Sequence, residues 1–162
     1  MTETTPLGRY LGMVVGGSLS RGVEVRLDSQ APVEEMALGQ HVVIQGQSRR
    51  FFGVVTDITL ESSDDSIRAN PPDMSNPLVA SVVSSTAVYA TLRVLPMLAL
   101  AAQHGLALLE GPKPAKTVPP HFAPVHLASE EDIQMVFGAE DQSHFWVGTP
   151  LDMETRVCLD LE

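Results

Sequence analysis

Between residues 22 and 28 (GVEVRLD) apolar and polar side chains alternate, with Val23, Val25 and Leu27 on one face and Glu24, Arg26 and Asp28 on the other. A period of two predicts a half-buried antiparallel strand, because successive side chains of an extended chain point to opposite faces. Residues 51–61 (FFGVVTDITLE) repeat the pattern: Phe52, Val54, Ile58 and Leu60 share a face with Thr56, while Asp57, Thr59 and Glu61 turn the other way. Both suit a barrel or a sandwich. Residues 10–15 predict a first strand that turns at Gly16-Gly17 into the strand beginning at Gly22, and residues 41–45 predict a further strand. Residues 33–38 read as one helical turn ended by Gly39, and residues 62–76, with Pro71 and Pro72, as a polar loop.

Residues 78–102 form a long apolar segment. In its second half Val88, Ala90, Leu92 and Val94 fall on one strand face and Tyr89, Thr91 and Arg93 on the other, with a helix as the rival reading for residues 78–85. A proline-rich stretch at residues 111–124 (GPKPAKTVPPHFAP) reads as a stiff extended connector. It divides a β module at residues 1–110 from a mixed α/β tail at 125–162. Within that tail Ser129 is placed to cap a short helix, with Asp132 at the capping-box position, Glu130 and Glu131 in the first turn and Gly138 at the end. The fold class is mainly β with a short helical C-terminal extension, and residues 157–161 read as one more strand.

Composition narrows the function. A chain of 162 residues and 17.4 kDa, 44% hydrophobic, has enough apolar surface for one folded domain. A formal charge of −10 argues against direct nucleic-acid binding, since that affinity comes from Lys and Arg neutralising phosphates. The lone Cys158 forms no internal disulfide, and the first ten residues (MTETTPLGRY) have neither the basic nor the apolar region of a signal peptide. Cytoplasmic residence is expected. Residues 74–92 carry no charge, but Pro77 and several Ser and Thr within them, and Arg93 and Pro96 beyond, favour a strand over a membrane span.

Catalytic chemistry finds little support. Residues 17–22 (GSLSRG) have the glycine spacing of a phosphate-binding loop, yet Val23 and Glu24 stand where Lys and Ser or Thr are needed, so a turn explains them better. His121 and His126 are an odd number of residues apart, and His41, His104 and His144 lack partners at ligand spacing, so no metal site or cofactor is predicted. Cys158 sits in an apolar alternation without a nearby base and reads as an inert buried thiol. The acids at Glu34-Glu35, Asp64-Asp65 and 130–132 lie where acids serve solubility or capping. Phe51 and Tyr89 are the aromatics expected on outward strand faces. They cover either a second layer of the same chain or a neighbouring subunit.

Three stretches, VVGGSLSRGVEVRLD, VVIQGQSRRFFGVVTDITLE and FWVGTPLDMETRVCLDLE, resemble the N-terminal part of HerA-type ATPases, the domain called the HAS barrel, shared with rotary ATP synthases. The resemblance runs from about residue 8 to residue 162 in element order and implies a small antiparallel β-barrel. In that family the barrel precedes a RecA-like motor whose phosphate-binding loop follows the strand matching residues 157–161. The resemblance thus implies the non-catalytic N-terminal module of a hexameric DNA-translocating ATPase, with Phe51 and Tyr89 as possible subunit contacts and no catalytic residue carried over. It implies ring assembly and docking of a NurA-type nuclease in DNA-end processing, and the charge and composition above add the expectation that the module itself binds no nucleic acid or membrane. A free-standing β-barrel adaptor without a motor is the alternative.

Overall fold

The computed structural model describes residues 8–139, 144–149 and 157–160. The first seven residues, and residues 150–156 and 161–162 of the closing stretch quoted above, lie outside the described residues. Two strands open the chain, β1 (Tyr10–Ser18) and β2 (Gly22–Leu27), joined by a tight turn at residues 19–21; Gly17, paired with Val23 near the end of β1, has φ 112°. A Cβ at Gly17 would lie 2.5 Å from the carbonyl oxygen of Gly22. The glycines of residues 17–22 therefore serve the hairpin, as the turn reading expects. A short 3-10 turn (Val33–Glu35) precedes β3 (His41–Gln45) and the long β4 (Arg49–Ser62).

The expected loop at 62–76 holds a short helix, α1 (Asp65–Ala69), capped by the Asp64 carboxylate, which accepts the Ser66 N–H at 2.8 Å. Helix α2 (Pro77–Thr86) follows, so the helical rival wins for residues 78–85. Pro77 begins the helix where its missing N–H is harmless, and the Asn76 side chain accepts the Leu78 N–H. Then come β5 (Val88–Ala101), α3 (His104–Glu110), β6 (Lys113–Pro114), β7 (Pro124–Leu127), α4 (Glu130–Phe137) and a small hairpin of β8 (His144–Gly148) and β9 (Val157–Asp160). Helix α4 has the predicted capping box, Ser129 and Asp132 satisfying each other's backbone N–H groups.

The strands run β2-β1-β7-β3-β4-β5, and β2 pairs again with β5, closing a six-stranded antiparallel barrel. Closure leaves no raw edge among these six strands. Strand β6 continues the sheet from the far half of β5. The barrel takes β7 from beyond the proline-rich stretch, pairing it with both β1 and β3, so the division at residues 111–124 does not bound the barrel.

Inside, Val23, Val25, Val42, Ile44, Val55, Leu92, Val94 and Val125 are nearly inaccessible to solvent, and Leu11 and Phe51 join them. Each such side chain contributes about 1.5–3 kcal/mol by leaving water. A second core forms outside the barrel wall, where Val43, Phe52 and Leu100 meet Ala107 of α3 and Ile133 of α4. Val157 packs against it, and Cys158 is buried as expected.

The alternation predicted for residues 51–61 fails in its first half, and Phe51 is corrected: it points into the barrel, 3% exposed, where it was expected on an outward face. The register against β5 shifts between Val55 and Asp57, opposing Val94 and Arg93, so Thr56 is an extra residue in the ladder. One extra residue flips every side chain beyond it to the other face. Phe51 and Val55 therefore share the interior with Ile58, while Phe52 turns out toward α4 and Val54 is only half-buried.

Candidate docking surface on the outer barrel wall

Residues of β1, β2, β4 and β5 line one side of a groove of about 1010 Å³, with Tyr89 and Glu61 on the outer face of the β4–β5 ladder and Leu60 and Ala90 on its other face. The opposite wall is the excursion between β4 and β5, through Ile67 and Arg68 of α1, Pro71, Pro72, Met74 and Val83 of α2. The barrel side presents Tyr10, Met13 and Leu60, all exposed. Exposed large apolar side chains gathered in a groove mark contact sites on folded proteins.

Tyr89 stands on the outer face of β5 inside this groove, as its strand position predicted. Its hydroxyl donates to Glu61 Oε2 at 3.1 Å, and the Arg26 guanidinium carbon lies 4.2 Å from its ring centroid. Hydrogen bonding to the Glu61 carboxylate, and that carboxylate's charge, hold the phenol above its ordinary pKa, so it stays a neutral donor. The ring, the acid and the guanidinium come from β5, β4 and β2, brought together by the β2–β5 pairing that closes the barrel. Phe122 stands at the rim, 69% exposed, with φ 62°. That is a rare backbone setting for a bulky side chain.

On the other side of the barrel, Arg50 of β4 and Asp132 of α4 form an ion pair with both side chains over nine-tenths buried. The second Asp132 oxygen accepts the Ser129 N–H at 2.9 Å and hydroxyl at 2.8 Å, tying the pair to the helix cap. This pair was not visible in the sequence, where its members stand 82 positions apart and Asp132 already has a local role as a cap. Nearby, His126 sets its ring against Tyr10 at 5.5 Å, and its Nδ1 is buried without a hydrogen-bond partner. His41 stacks on Phe52 at 5.4 Å. No group of three or more His, Cys, Asp or Glu among the described residues could hold a metal ion. Among the same residues, no helix is long and apolar enough to cross a membrane.

Burial pushes the His126 imidazole below its ordinary value, and Arg50 adds to this while Asp132 opposes it. The folded state thus favours the neutral ring. Its contribution to stability is present above about pH 6.5 and is lost as the pH falls toward the lower folded value. The melting temperature is expected to decline between about pH 7.5 and 5.5 and to decline less in His126→Gln. Equal slopes in thermal melts of the two proteins would show that His126 is not the group responsible.

A family model described as the HAS barrel domain matches residues 11–94, from β1 into β5. Among curated proteins, none matches the chain. With five of its six barrel strands inside that match, at least in part, and its sheet closed as a six-stranded antiparallel barrel, the chain belongs to the HAS barrel domain family.

Proposed function

We propose that this chain is a non-catalytic barrel module of a HerA-like DNA-translocating ATPase, joining subunits of a hexameric ring and offering a platform to a nuclease of the NurA type during DNA-end processing. The observation that carries this reading is the contrast between the two faces of the barrel wall. The interior is filled by packed apolar side chains, which leaves little room there for a substrate, while the exterior carries exposed Tyr10 and Met13 in the groove that holds Tyr89. Contact with other proteins uses that outer surface. The charge of −10 supports leaving the DNA to the motor.

The test begins with the gene, where a GxxxxGK[S/T] motif in frame after Glu162 marks the motor. The protein extended through that motor should form a closed hexamer in multi-angle light scattering, and Tyr89→Ala should weaken the ring at unchanged melting temperature. Residues 1–162 alone should remain monomeric or loosely associated at micromolar concentration and should neither hydrolyse ATP nor retain duplex DNA on a filter at physiological salt. A stop codon directly after Glu162 would turn the reading to a free-standing adaptor. ATP turnover or tight DNA binding by the isolated chain would end the module reading.

A further inference from the structure

The geometry points to the groove on the outer wall as a docking site for a partner-protein segment that carries a carboxylate among large apolar side chains. This rests on the docking role proposed above and adds the chemistry of what docks. A volume of about 1010 Å³, lined among others by Met13, Leu60 and Phe122, has room for several side chains of a peptide.

The charge requirement comes from Arg26. Its guanidinium lies over the Tyr89 ring, and none of the described carboxylates is within ion-pair distance of it. The acids that share the groove keep their charge, and each accepts a hydrogen bond from within the chain. Glu61 accepts the Tyr89 hydroxyl, and Asp28 accepts the Gln30 N–H at 2.9 Å. Arg26 is thus the one charged side chain lining the groove that has neither an ion-pair nor a hydrogen-bond partner among the described residues, since Arg68 of α1 pairs with Asp65 at 3.9 Å. A carboxylate entering there gains a charge-assisted bidentate contact, whereas a cation would meet Arg26 head-on.

Phe122 supplies an independent observation. Its left-handed backbone, φ 62°, is held by its N–H donating to the Val14 carbonyl at 2.7 Å, yet the ring remains 69% exposed. The strain is not offset by burial within the chain, and strained backbone of this kind concentrates at ligand clamps. A docked segment would cover the ring.

The test is a selection of random twelve-residue peptides displayed against the 162-residue chain, with counter-selection on Arg26→Glu. Enriched peptides should combine an Asp or Glu with at least two large apolar residues. Their affinity should fall at least about tenfold for Arg26→Glu and less for Arg26→Lys, which keeps the charge but loses the flat stack. Phe122→Gly should weaken the peptides while holding or raising the melting temperature, because glycine accepts the backbone angle. A purely structural role for Phe122 would not separate the two readouts in that way. Enrichment of basic or wholly apolar peptides, no enrichment, or equal affinity for Arg26→Glu would each overturn the proposal. Peptide affinity of the isolated chain is read without a motor, so ring assembly can fail while the groove still selects acidic peptides, and the reverse.

Discussion

Asp132→Ala is expected to destabilise the protein by about 3–5 kcal/mol, because it leaves the Arg50 guanidinium buried without a counter-charge. Both side chains of the pair are over nine-tenths buried, so solvent offers Arg50 little compensation. The same substitution strips the acceptor from the Ser129 N–H and hydroxyl, loosening the first turn of α4. Since domains of this size hold about 5–15 kcal/mol in total, the variant loses a large share of its stability. Arg50→Met combined with Asp132→Leu should recover much of that loss, replacing a paired charge by packed apolar groups beside Val43, Phe52 and Leu100. Urea unfolding of the two variants beside the unaltered protein measures both effects. A loss below about 1 kcal/mol for Asp132→Ala would mean that the pair behaves like an exposed one.

Val55→Asp should prevent folding altogether, while Val54→Asp, one residue earlier, should leave a folded protein. The difference lies in the bulge at Thr56, which turns Val55 into the barrel at 1% exposure and leaves Val54 half-buried on the wall. An unpaired carboxylate inside a dry barrel costs more than the fold can spare. Val25→Asp should behave like Val55→Asp, for Val25 is fully buried and packed in the same core. Glu24→Ala should cost at most about 1 kcal/mol, since it removes a half-exposed contact to Arg93 at 3.6 Å. Circular dichroism and thermal melts check all four. If Val54→Asp proved the more damaging of the neighbours, the uninterrupted alternation from Phe52 to Leu60 would be the true register.

The strands around Val25 and Leu92 were legible because a period of two needs only neighbouring residues to be seen. The Ser129 cap was legible for the same reason, its four residues carrying the whole signal. Phe51 was misplaced because a bulge leaves no local mark: Thr56 is as ordinary a strand residue as any, and only its pairing against Arg93 and Val94 reveals it as extra. Arg50 and Asp132 were unreadable as partners because a long-range pair has no spacing rule. Tyr89 was placed on the right face, but the groove around it draws walls from four strands and an excursion whose packing no periodicity describes. The short helix at Asp65–Ala69 hid in a segment whose prolines and polar residues favour a loop.

The pairing of β7 with β1 and β3 fixes the order in which the barrel can be completed. As the chain leaves the ribosome, β1 to β5 emerge first, and β2 can find β5 once residue 94 is free. Until residues 124–127 follow, β1 and β3 face each other across an unfilled gap, each with unsatisfied N–H and C=O groups along its edge. A chain that folds as it emerges would pass through an interval as an open sheet whose free edges can pair with a neighbour on the same message. The stiff proline-rich stretch just before β7 shortens that interval, since a chain with fewer conformations to search returns its strand to the gap sooner.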